Sequence, residues 1–156
     1  MEEMLKRAEE MGIDVEDLIL TAMSRKDPQE GIKLRLTLAR KYMAEAEEYL
    51  RKGDPAKASE KAYKVAEEVV KALAEKFNLP EYQQAVMEGR WYAYTLGSAS
   101  ASLSKMLGEW VVNGWSSAYF LHVWGFHESK LSTNDVIPYL EGVRKLLENA
   151  EKVIGS

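Results

Sequence analysis

The chain has 156 residues, a formal net charge of −4 and no cysteine. That length makes one domain of ordinary size, with a core that needs no covalent staples. Without cysteine there is no disulfide framework, thiolate metal site or thiol nucleophile. The mild, interspersed charge also excludes the basic stripe of a duplex-binding protein.

No stretch reaches the roughly 18 apolar residues of a membrane span. The N-terminus has no apolar run behind its charges. The expectation is a soluble, cytoplasmic chain that makes no membrane contact.

Residues 2 to 11 read as a short helix with Met4, Leu5, Ala8 and Met11 on one side, ended by Gly12. Asp14 caps the next helix, with Asp17 placed to favour its dipole and Val15, Leu18, Ile19 and Ala22 as the apolar stripe. Asp27 and Pro28 open a long third helix over 28–52. Leu34, Leu38 and Tyr42 form one row of it, and Ala39, Met43, Ala46 and Leu50 the adjacent row. Arg35, Lys41, Glu45 and Glu48 are left for solvent.

Gly53, Asp54 and Pro55 then supply a helix stop, an N-cap and an N1 proline in succession. Two long helices, 28–52 and 55–77, therefore meet at a tight antiparallel turn. Ala58, Ala62, Val65, Val69 and Ala72 follow a 4,3,4,3 spacing, with the smallest residues near the turn; Glu60, Lys64, Glu67, Lys71 and Glu75 make the wet face, and Pro80 punctuates the end. The hairpin resembles a tetratricopeptide unit, but such units recur about every 34 residues and stack in threes or more. No second copy of "GDPAKASEKAY" exists, so the hairpin is one corner of a bundle.

From Arg90 to His127 only Arg90, Lys105 and Glu109 are firmly charged, while nine residues are aromatic. "GSASASLS", 97–104, reads either as a loop or as helix packed closely on a neighbour; "SLSKMLGE" is helical, ending at Gly108. "WVVNGWSSAYFLHVWGFHE" reads as a central helix near 109–127, apolar all round and so buried on all sides. Trp115, Tyr119, His122 and Phe126 share one face. A last helix near 135–154 places Pro138 in its first turn and keeps a heptad seam of Val136, Leu140, Val143, Leu147, Ala150 and Ile154. No segment alternates with period two, so the fold is all-α.

Several residues carry both a functional and a structural reading. His122 suits a general acid or base, or a donor to a nucleobase; it equally suits a core histidine bonded to a carbonyl or hydroxyl. His127 at a helix C-terminus gains from the dipole when protonated. His127 and Glu128 are adjacent and share no helix face, and His122 does not add the i, i+4 spacing of a zinc helix. No metal and no cofactor is therefore expected. Ser59, Lys61 and Tyr63 could meet a phosphate or carboxylate beside a stacking ring, or Lys61 could lie along the hairpin as a structural lysine. Glu60 and Lys64 read as a surface i, i+4 pair. Arg90 leads into "RWYAY", a stacking platform or a helix start with core aromatics. No catalytic set is assembled by spacing.

"DPQEGIKLRLTLARKYMAEAEEYLRKGDPAKASEKAYKVAEEVVKALA", 27–74, and "WSSAYFLHVWGFHESKLS", 115–132, resemble the archaeal PaREP family of small helical proteins, as does the lead "GIDVEDLILTAMS". The resemblance covers most of the chain. The family is similar in architecture to HEPN domains, antiparallel helical bundles that commonly dimerise. It implies an HEPN-like bundle over 27–156 behind an N-terminal helical lead, 1–26, with a homodimer as the assembly. HEPN ribonucleases carry an Arg and, after four to six intervening residues, a His on one late helix, whereas the nearest arginine upstream of His122 is Arg90. The resulting expectation is a binding or interaction protein without catalysis, with a protein, nucleotide or RNA partner open. The alternative is a nucleotide- or nucleic-acid-binding protein, a degenerate ribonuclease of a toxin–antitoxin type system.

Overall fold

In the computed structural model, which describes residues 1–155, the two longest runs of helix signal become α3 (Pro28–Arg51) and α4 (Pro55–Lys76). Their caps form as the sequence dictates. The Asp27 carboxylate accepts from Glu30 N–H at 3.2 Å, and Asp54 from Lys57 N–H at 3.0 Å. Gly53 turns the chain between them at φ +76°, a conformation that a Cβ penalises.

Before them lie α1 (Glu2–Glu10) and α2 (Val15–Lys26), the latter capped by Asp14. After them come α5 (Pro80–Glu88), α6 (Ala93–Leu107), α7 (Trp110–Phe120) and α8 (Thr133–Ile154). From Phe120 the chain winds on as a π-helical segment, Leu121–His127. No strand occurs among the described residues, and the fold is all-α. Among them, no helix is long and apolar enough to cross a membrane.

The central element is α4, not the tryptophan-rich helix. Fourteen of the 22 residues of α4 are buried, because α3, α6, α7, α8 and the π segment all pack on it. Ala58, Ala62, Val65, Val69 and Ala72 are fully enclosed, as their spacing requires. Helix α7 and the π segment lie further out: Trp115 is buried, but Tyr119 of α7 and Trp124 of the π segment are left open. The heptad seam of α8, from Val136 to Ala150, closes the core.

Three expectations are overturned by this arrangement. Arg35 is only 2% exposed instead of facing solvent, and Lys71 and Glu75, assigned to a wet face, are buried. The cause is α2, which covers that side of the hairpin. Arg35 Nη1 donates to Asp17 Oδ1 at 2.9 Å and to Glu68 Oε1 at 2.8 Å, and Lys71 Nζ donates to Asp17 Oδ1 at 3.1 Å. Asp17 is thus more than a dipole complement. Burial alone would raise its carboxyl, but Lys71 and Arg35 hold it below the usual carboxylate range.

The boundaries also move. Pro80 does more than end α4: it sits at the start of α5, a helix without a sequence expectation. The small-residue stretch 97–104 is helix within α6. Helix α8 starts earlier than 135, because Ser132 and Asp135 form a reciprocal capping box at 3.1 and 2.9 Å. Pro138 consequently falls inside the helix, where it costs one backbone hydrogen bond.

Removing one partner from a buried ion cluster strands the others. Arg35→Ala should lower the unfolding free energy by about 3–5 kcal/mol, measured by urea denaturation. Arg40→Ala, which breaks an exposed pair with Glu151, should cost no more than about 1 kcal/mol. Equal losses would show that the Arg35 cluster is not coupled as described.

Candidate functional site

The first turns of α4 present Ser59, Glu60 and Tyr63 to the π segment. Contact is close because of Gly125, where an added Cβ would overlap the Ser59 side chain. Ser59 is fully buried beneath this glycine and cannot reach a ligand. Its role is to be small.

The π geometry decides the rest. In an α-helix, side chains five apart diverge; a π turn closes with i→i+5 bonds and brings them to one face. Here Glu128 N–H donates to Val123 O at 2.8 Å. His122 and His127 come together as a result, with their Nε2 atoms 3.2 Å apart and their rings inclined at 80°. Spacing arguments that assume α-helix miss this pair.

His122 is fixed from the other side as well. Its Nδ1 lies 3.4 Å from Glu60 Oε2, and its ring stacks on Tyr63 with centroids 3.8 Å apart and planes at 19°. Burial lowers the His122 pKa, Glu60 partly opposes this, and His127 lowers it further; the net direction is downward. Near neutral pH the ring is therefore uncharged, and the Glu60 contact favours the tautomer with the proton on Nδ1. Burial also pushes the Tyr63 hydroxyl up, helped by Glu67, so it stays protonated.

Around the pair runs an aromatic row. Trp115 and Tyr119 are 6.0 Å apart, Tyr119 and His122 6.0 Å, and His122 and Phe126 6.4 Å. Tyr63 underlies it, 5.6 Å from Trp115. The shared face read from the sequence is present.

Of the candidate residues, Tyr63, His122 and His127 converge, with Ser59 beneath them. Lys61 lies apart, its Nζ 3.3 Å from Glu45 Oε1 and 5.4 Å from the centre of the Tyr42 ring. Arg90 stacks on Tyr92 at 4.4 Å, and Glu128 is exposed beyond the π segment. Glu60 is the residue that sequence reasoning passed over. Its i, i+4 relation to Lys64 looked self-sufficient, and nothing local announces a partner 62 positions away. Among the described residues, no group of three or more His, Asp or Glu side chains is arranged to hold a metal ion.

A cleft of ≈ 580 Å³ opens elsewhere, between the N-terminal helices and the α3–α4 hairpin, lined in part by Leu5, Glu9, Glu16, Tyr42, Lys64 and Glu67. Tyr42 Oη donates to Glu16 Oε2 at 3.0 Å. Burial raises the Glu67 carboxyl to about 7; Lys71 opposes this and Glu68 reinforces it.

A small all-α bundle built round one buried helix, with a paired-imidazole and aromatic face on a π turn, is the class these features define. The chain belongs to the archaeal PaREP1/PaREP8 family, whose family model matches residues 34–147. It is similar to the crystal structure of a protein from Sulfolobus solfataricus, with 41% identity, 74% of this chain and 94% of that chain covered, and a TM-score of 0.69. A solution structure of the same structural-genomics target gives 41% identity, 73% and 88% coverage, and a TM-score of 0.65. No curated protein matches the chain.

The Glu67 carboxyl has a pH signature. Its pKa is raised from 4.5 to about 7 on folding, so the folded state holds the extra proton in that window. Its contribution to stability therefore falls as pH rises from 4.5 to about 7. Glu67→Gln cannot lose that proton. The stability difference should move in the variant's favour across the window and level off above it, as read by denaturant unfolding at several pH values. A constant difference would show an ordinary Glu67.

Proposed function

We propose that this protein is a binding or interaction protein without catalytic activity, working in the cytoplasm as a homodimer of HEPN-like bundles. In this reading 27–156 is the bundle and 1–26 its lead, residue 156 lying outside the described residues. The observation that carries this reading is the aromatic ledge of α7 and the π segment. Trp110 and Trp115 pack within the chain, and Trp110 Nε1 donates to Leu107 O at 3.0 Å. Tyr119 and Trp124, by contrast, are 42% and 45% exposed, and Phe126 is open beside them. With Phe120 and Val123, the first two rim an open concavity of ≈ 400 Å³.

Large apolar patches on a surface usually mark a partner, and a two-fold contact is the commonest way to pair one patch with itself. The 90–127 segment carries only three firm charges to oppose such pairing. The non-catalytic part of the reading is supported by dispersal: Ser59 is sealed, Lys61 is neutralised by Glu45 and Arg90 is stacked away from the histidines.

Light scattering at low micromolar concentration should give twice the 17.7 kDa chain mass. Trp124→Glu should give the single-chain mass with a retained thermal transition. A monomeric parent protein would overturn the dimer.

A second reading, nucleotide or RNA binding, is favoured by one place. Arg90 covers Tyr92, whose ring stacks on exposed Tyr94 at 5.4 Å and 15°, leaving a flat face that a base could extend. Under this reading, fluorescence anisotropy with short single-stranded RNA should show binding that weakens by about 1–3 kcal/mol in Tyr94→Ala. The RNA should remain uncut. Absent binding would remove this reading, and cleavage lost in His122→Ala would replace it with an enzyme.

A further inference from the structure

The dimer reading makes no use of the paired imidazoles. We propose that His122 and His127 form a binding site for a divalent transition-metal ion of the zinc, nickel or copper type. Nε2 of each ring is the ligand, and water fills the remaining positions.

The separation fits. Two nitrogens each about 2.0–2.1 Å from zinc, at a tetrahedral angle, stand about 3.3 Å apart. The two Nε2 atoms are 3.2 Å apart. The exposed His127 ring can turn to aim its lone pair at the shared point, while His122 is held by its stack on Tyr63.

The surroundings fit as well. A metal-ligating histidine usually gives its other ring N–H to a carboxylate, which fixes the tautomer and makes the ligating nitrogen more basic. Glu60 Oε2 stands at Nδ1 of His122 in that position. Imidazole suits zinc, copper and nickel, whereas magnesium and calcium prefer oxygen donors. With two protein ligands the site is open, since among the described residues no third His, Asp or Glu joins them. An open site can accept water or an anionic or nitrogen-donor ligand from solution.

The π turn strengthens the case. It exchanges regular α hydrogen bonding for a register whose local effect is to align His122 with His127, and such turns are frequent at functional sites. A mere hydrogen bond between the two rings is the competing account, and it predicts no metal uptake.

The test uses the full chain without a histidine tag, stripped with a chelator and titrated with zinc or nickel chloride. Calorimetry should show saturable uptake of one ion per chain below millimolar concentration. Imidazole NMR signals of both His122 and His127 should shift or broaden with the same titration. His127→Gln, at an exposed position, should abolish saturable uptake without changing the thermal transition of the metal-free protein. Glu60→Gln, which keeps the shape but weakens the acceptor, should reduce affinity by about 10–100-fold. No saturable uptake by the parent chain, or equal uptake by His127→Gln, or ring signals that do not respond, would each overturn the site.

Discussion

Helix α4 is enclosed on nearly every side, yet it carries Glu68, Lys71 and Glu75 into that enclosure. Charges cannot be left unpaired in such a place. Two of the three find partners: Arg35 reaches in from α3 and Asp17 from α2, and the four side chains Asp17, Arg35, Glu68 and Lys71 balance to zero. Three helices are fixed in register by that cluster. The opposite end of α4 is then free for a different task, since Ser59, Glu60 and Tyr63 face the π segment. One helix thus holds the bundle together at its C-terminal half and builds the candidate site at its N-terminal half.

What the sequence made legible was local. The caps at Asp14, Asp27 and Asp54, the stop at Gly53 and the seam of α8 are each decided by residues within a few positions of one another. The failures within the hairpin were non-local. Arg35 and Lys71 look like ordinary surface charges until α2 is laid over them, and no pattern within α3 or α4 reveals that cover. The start of α8 was missed for a local reason: with the helix begun near 135, Asp135 was not seen as the third residue of a capping box on Ser132.

The site divides along the same line. The row of Trp115, Tyr119, His122 and Phe126 was visible because it follows helical spacing. The His122–His127 pair was not, because it depends on a π turn. That turn coincides with Gly125 pressed against Ser59, a contact between residues 66 positions apart in the chain. Glu60 joined the site for the same reason: its partner is brought by tertiary packing.

The turn at Gly53 has a consequence for how the chain folds. It joins the two longest-packed neighbours in the molecule, α3 and α4, with almost no loop between them. Closing a short loop costs little chain entropy, and contacts near in sequence form fastest. The hairpin, with its Arg35–Glu68 pair, is therefore the first tertiary contact open to the unfolded chain, whereas the Asp17 contacts must await α2 and the His122 contacts must await docking of the π segment on α4. Substitutions along the α3–α4 seam would slow folding, and those at Asp17 or at the π turn would speed unfolding instead.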